Sequence, residues 1–227
     1  LNGGSDSSAG SQSVIQSGTN ATDKPQFNVA YISNLSGKEK LYMSHDVNQE
    51  TAGAGNAPER GEYTGKWTNT SNPLDTIGAT TGSSSYTMNS GSEMVVLGWD
   101  DTDIHTTNFW EELASVTASG STTSFNSGTF TAKKYLWVQG YFTSSGAFTP
   151  QIRVGNNTID TSSNYVGRRS YNGGSDVTAT QQTEITLDGV GQSTPVFFNG
   201  FIANRSSEEK LAIFNCIKQQ TAGAGTA

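Results

Sequence analysis

Thr51-Ala52-Gly53-Ala54-Gly55 recurs letter for letter at Thr221-Ala222-Gly223-Ala224-Gly225, 170 residues further on. The same shift carries Asn2-Gly3-Gly4-Ser5-Asp6 onto Asn172-Gly173-Gly174-Ser175-Asp176, Pro25 and Phe27 onto Pro195 and Phe197, and Glu39-Lys40-Leu41 onto Glu209-Lys210-Leu211. Aligned without gaps, positions 1–57 and 171–227 share 23 identical residues in 57. Self-similarity at a fixed period marks a repeated architecture, and it lets each segment be read twice. The 227-residue chain spans one 170-residue period and 57 residues of the next. It therefore starts in mid-repeat, and the expectation is either a chain that borrows strands or one window onto a longer repetitive protein.

Reading outward from the repeated loop, the segments are short and alternate like strands. Phe27 to Ile32 is apolar on both faces, as is its copy from Val196 to Ile202, which predicts strands lying between layers. Glu39 to Ser44 follows a turn at Asn34-Leu35-Ser36-Gly37, so the pair reads as a hairpin. Between 62 and 68, Tyr63, Gly65 and Trp67 share one face, while Glu62, Thr64, Lys66 and Thr68 share the other. The run 93–99, with Met94, Val95, Val96 and Leu97, predicts a buried strand. Segments 109–117, 124–131, 133–142, 146–154 and 165–171 read as further strands, and 183–187 makes 12–17 a weak one. No segment shows helical periodicity, so parallel sheets with crossover helices are excluded. The expected fold class is all-β: an antiparallel two-sheet sandwich, jelly-roll-like, with a 170-residue internal repeat. The polar, acidic stretch 100–108 breaks the pattern. It places a boundary near Asp103, with residues 1–103 the C-terminal part of one sandwich repeat and 104–227 the N-terminal part of the next.

Composition narrows the function classes. Charged residues are 15% of the chain, and the net charge is −7. An acidic, weakly charged surface disfavours nucleic acid, which needs basic groups against phosphate. No apolar run approaches the roughly 20 residues of a membrane-spanning helix. The single cysteine, Cys216, excludes an intramolecular disulfide.

Several stretches carry a resemblance. They are 109–116 (Phe-Trp-Glu-Glu-Leu-Ala-Ser-Val), 128–138 (Gly-Thr-Phe-Thr-Ala-Lys-Lys-Tyr-Leu-Trp-Val), 168–176 (Arg-Arg-Ser-Tyr-Asn-Gly-Gly-Ser-Asp) and 209–211, with 51–60, 65–71 and 92–98 in the first half. Together they resemble a repeated domain of virion structural proteins from marine tailed phages and some archaeal viruses. The resemblance implies a virion or extracellular surface location. It also implies a domain that opens on the Trp-Glu segment, in keeping with a boundary near Asp103.

Candidate sites are few. Asp100, Asp101 and Asp103, with His105 beyond, are clustered oxygen ligands of the kind calcium takes. The spacing lacks the glycine and closing glutamate of an EF-hand loop, and a solvated acidic linker is the competing reading. His45 and His105 are the only histidines, and the repeat counterpart of His45 is Asn215, so a histidine metal site is not expected. The pairs Glu111-Glu112 and Glu208-Glu209 are strand neighbours pointing opposite ways, not a glycosidase pair. No Gly-x-Ser-x-Gly elbow is present. Trp67, Trp99, Trp110 and Trp137 suit either a core or a sugar-stacking platform, and their strand context favours the core. Lys133-Lys134 and Arg168-Arg169 read as solvated strand ends. Asn20, Asn34, Asn69, Asn156 and Asn204 open Asn-x-Ser/Thr triplets, which matter only in a glycosylating host.

The sequence thus predicts a non-enzymatic structural protein that assembles with its own copies or with neighbouring structural proteins as a capsid, decoration or fibre component. A carbohydrate-binding or adhesion module with a glycan partner is the first alternative. A cellular surface-layer or extracellular filament subunit is the second.

Overall fold

The computed structural model describes residues 8, 10, 12, 14, 24–81, 87–98, 110–172, 174–187 and 195–218. Regular structure among them is entirely β, and every pairing is antiparallel. Twelve strands run in chain order. They are β1 (Gln26–Ile32), β2 (Lys40–Asn48), β3 (Glu59–Trp67), β4 (Tyr135–Phe142), β5 (Gln151–Ile152), β6 (Gly155–Asn156), β7 (Thr158–Ile159), β8 (Tyr165–Arg169), β9 (Val177–Gln182), β10 (Ile185–Thr186), β11 (Val196–Ala203) and β12 (Leu211–Lys218). Two three-stranded sheets dominate, ordered β1-β2-β3 and β12-β11-β4. Three two-stranded ribbons, β5 with β10, β6 with β7 and β8 with β9, complete the set.

The two long hairpins are equivalent strand for strand. Gln26 pairs with Asn48 in the first and Val196 with Lys218 in the second, and the 170-residue shift maps each pair onto the other. The sheets differ in their third member. In the first, β3 adds to β2; in the second, β4 adds to β11. Each sheet therefore extends its hairpin on the side the other leaves uncovered among the described residues.

Alternation decides which faces are buried. In β11, Val196, Phe198 and Ile202 are buried, whereas Phe197 on the opposite face is exposed. The buried face carries a run of rings: Phe125 on Phe142 (5.5 Å), Phe142 on Phe198 (5.3 Å) and Phe198 on Phe214 (6.4 Å). On the other face the two sheets meet. Val47 of β2 packs with Ala203 of β11 and Leu211 of β12, flanked by Phe27, Tyr135 and Ile213. Phe27 and Tyr135 stack with centroids 6.1 Å apart, 15° from parallel.

Three expected strands are absent among the described residues. The run 94–97 has no strand, and its side chains are 51–58% exposed. A strand apolar on both faces needs cover on both sides, and no described strand lies against this one. Segments 110–117 and 124–131 are also irregular. Of 146–154 only β5 forms a strand, paired with β10. Strand β9, rich in Thr and Gln, was hidden by its polar composition. Most of 12–17 and the residues of the acidic junction lie outside the described set. No described helix is long and apolar enough to cross a membrane.

Candidate functional site

The junction between the two large sheets is the centre of the molecule, and its residues come from the repeated hairpins. Parity places Phe27, Val29, Tyr31, Met43, His45 and Val47 on one face of the first hairpin. The matching face of the second carries Phe197, Phe201, Ala203, Leu211, Ile213, Asn215 and Ile217. At one end these faces close over Val47, Ala203 and Leu211. Beyond it they part, leaving a cleft of about 70 Å³ lined by Val29, Tyr31, Met43, Ser44, His45, Phe201, Ile213 and Asn215. That is far below the roughly 300–1,000 Å³ of a small-molecule site. His45 and Ser44 both line this cleft.

Where the faces part, apolar side chains are left in solvent. Tyr141, Phe197 and Ile217 form one row across β4, β11 and β12, with Phe197 in register with both neighbours. They are 66%, 42% and 73% exposed. On the first sheet Leu41 and Met43 are similarly bare, at 59% and 51%.

Two polar clamps hold the sheets to the rest. Asp176, the last residue of the repeated Asn-Gly-Gly-Ser-Asp motif, is nearly buried beside two arginines. Arg60 of β3 donates to its Oδ1 from Nη2 at 2.7 Å and from Nε at 3.2 Å, and Arg168 Nη1 stands 3.8 Å from Oδ2. Burial works against the charged Arg60 guanidinium, but the hydrogen bonds and charge of Asp176 outweigh it, and with Glu62 they raise its pKa. Arg168 also donates to the Pro58 carbonyl at 2.7 Å. The strand-end pair Arg168-Arg169 is therefore structural rather than solvated: Arg169 bonds the Tyr171 hydroxyl and lies over its ring. The second clamp joins two other repeated motifs. Glu209 of the Glu-Lys-Leu motif accepts the Gly53 amide at 2.8 Å and Gln49 Nε2 at 2.9 Å. The Thr-Ala-Gly-Ala-Gly loop is held on its other side by the Gln181 amide on the Ala54 carbonyl.

A buried polar cluster sits on the far face of β2. Lys40, Ser44, Asp46 and Asn48 are each 1–2% exposed. Lys40 Nζ is satisfied by the carbonyls of Leu35 and Lys38 at 2.8 and 2.7 Å. Burial, and then the charges of Asp46 and Glu59, push the Tyr63 phenol up to about 12. The second hairpin keeps the lysine as Lys210, which bonds the carbonyls of Arg205 and Glu208, but it has Phe214 for Ser44 and Cys216 for Asp46, so the Ser44–Asp46 part of the cluster belongs to one copy only.

Of the sequence candidates, Asp100, Asp101, Asp103 and His105 lie outside the described residues, as do Trp99 and Asn20. Among the described residues no group of three or more His, Cys, Asp or Glu is placed to hold a metal. The expectation that the tryptophans fill the core is corrected. Trp67, Trp110 and Trp137 are 39%, 37% and 46% exposed. Trp137 stacks on Phe201 at 6.2 Å, and Trp110 packs against both. Trp67 borders an open groove of about 280 Å³ with Pro73, Leu74, Asp75 and Thr76. Lys133 and Lys134 pair with Glu111 and Glu93 at 2.7 and 2.6 Å. Asn34 is taken up by Leu74, whose carbonyl and amide it bonds at 2.8 Å each, and Asn204 donates to the Lys133 carbonyl at 3.0 Å.

No family model, curated protein or solved structure matches the chain. Its function must be argued from its own geometry.

Proposed function

We propose that this chain is a structural protein that works by non-covalent assembly with other copies of its own kind. It serves as a capsid, decoration or fibre component at a virion or extracellular surface, and it carries out no reaction. The observation that carries the reading is the exposed row of Tyr141, Phe197 and Ile217. A contiguous apolar strip on a sheet face marks an interaction surface. The equal register of the two hairpins supports the 170-residue repeat, and two facing antiparallel sheets support a sandwich of jelly-roll type. The virion location rests on the resemblance of the Trp-Glu and Gly-Thr-Phe-Thr stretches. Sedimentation velocity with negative-stain microscopy of the purified chain tests the proposal: ordered oligomers or filaments are expected. A species that stays monomeric to about 1 mM, beyond the range in which specific interfaces of even millimolar Kd would begin to associate, overturns it.

One observation favours a second reading, a glycan-binding module. The groove beside Trp67 offers an aromatic face next to the Asp75 carboxylate and the Thr76 hydroxyl. Tryptophan fluorescence titrated with oligosaccharides tests it. Saturable quenching that Trp67→Ala abolishes is the expected sign, and no quenching across acidic and neutral glycans removes the reading.

A further inference from the structure

The chain makes one apolar contact twice over in sequence but only once in space. Within the chain, Phe27 and Val47 of the first hairpin pack on Ala203 and Leu211 of the second. The 170-residue shift maps Phe27 onto Phe197 and Val47 onto Ile217. It also maps Ser33 onto Ala203 and Leu41 onto Leu211. Ile217 and Leu41 are bare where Val47 and Leu211 are covered. Val47 is 6% exposed and Ile217 is 73%; Leu211 is 9% exposed and Leu41 is 59%. The chain thus carries one completed junction and two unmatched halves of the same junction. One half, Phe197 with Ile217, lies on the second hairpin. The other, Ser33 with Leu41, lies on the first.

We infer that these halves belong to each other, and that the chain associates head to tail with a second copy: Phe197 and Ile217 of one molecule receive Ser33 and Leu41 of the next. The operation that carries the first hairpin onto the second within the chain, applied twice, sets each new copy. The chemistry fits, since Ile217 and Phe197 would meet Leu41 as Val47 and Phe27 meet Leu211. Such an interface is heterologous. It leaves a free half at each end, so it grows into a ring or a filament and does not stop at a symmetric dimer. The completed junction has the help of a covalent tether, worth an effective concentration in the mM range. The free halves lack it and associate only at high protein concentration. The inference rests on the assembly reading and names its contact.

The test exploits the two different ends. The wild-type chain is run by sedimentation velocity up to about 1 mM, the range set by the tether, beside Leu41→Asp and Ile217→Asp. Each substitution alone places a carboxylate in every contact and is expected to weaken association at least tenfold. Mixed in equal amounts, the two variants each keep one intact half, so they are expected to form dimers that grow no further. Both positions are exposed, and far-ultraviolet circular dichroism confirms that the variants fold. Leu41→Ser and Ile217→Ser replace any variant that does not. Assembly insensitive to both substitutions, or a mixture that stays monomeric or grows beyond dimers, overturns the inference and leaves the assembly reading standing. A wild-type chain that is monomeric throughout overturns both.

Discussion

Asp176 shows how much a single carboxylate in this chain can hold. Its side chain is 6% exposed, and Arg60 and Arg168 both lean on it. Asp176→Asn would leave two guanidinium groups partly buried without their charge partner. Breaking a buried pair costs on the order of 3–5 kcal/mol, and the partial exposure of Arg60 puts the loss near the lower end, about 3 kcal/mol, in denaturant unfolding. Glu62→Gln removes another carboxylate partner of Arg60, one that is 66% exposed. An exposed pair is worth less than about 1 kcal/mol, so this variant should unfold close to wild type. Tyr63 gives a pH signature. Its folded pKa of about 12 lies above the ordinary 10.0, so the fold favours the neutral phenol. That contribution is fully present below pH 10 and is lost as pH rises through 12. Tyr63→Phe should flatten the alkaline limb of the stability curve between those values, as followed by circular dichroism. Asp160 has the opposite sign. The Asn164 side chain and the Ser162 amide, each at 2.8 Å, hold its pKa below 3.8. The turn it organises is therefore tightest above that pH and loosens as acid protonates the carboxylate.

The hairpins were the most legible elements, because repetition showed each of them twice and alternation showed which residues share a face. The Gly-Gly-Ser-Asp motif and the Glu-Lys-Leu motif were visible as strings, but their roles were not: nothing local tells that Asp176 meets Arg60, or that Glu209 grips the Gly53 amide. The run 94–97 misled for a similar reason. Its β-branched and aliphatic residues describe a strand's local preference, and a strand also needs a neighbour, which the described residues do not supply. The tryptophans misled in the reverse sense, since strand context predicts a face but not whether anything covers it. Where the copies differ, the differences compensate. Gly200 stands opposite Phe214, and a Cβ at Gly200 would overlap the Phe214 ring. The first hairpin places Ala30 opposite Ser44. Gly200→Ala should therefore cost about 1–3 kcal/mol from overpacking. In a Phe214→Ser background the part of that cost set by the ring should be relieved, while the Ile213 carbonyl, 2.7 Å from the same Cβ, keeps the rest. A double-mutant cycle reads the coupling, and additive losses would contradict the packing account.

For the whole molecule, equivalence in sequence and inequivalence in burial make a sharp comparison. Leu211→Ala empties part of the junction and should cost about 2–4 kcal/mol. Leu41→Ala, the same change at the matching position, should stay within about 0.5 kcal/mol in dilute solution. Equal losses would mean that the junction is not what holds the sheets together. The division of labour between the sheets has a temporal consequence as well. The β1-β2-β3 sheet is complete once the chain has reached Trp67, using neighbours close in sequence. The β12-β11-β4 sheet needs β4 to wait for a partner that begins at Val196. Loop closure over that distance is slow compared with hairpin formation. During synthesis the first sheet therefore stands with Phe27 and Val47 uncovered until its own second hairpin arrives. On a crowded polysome the second hairpin of a neighbouring nascent chain offers the same surface.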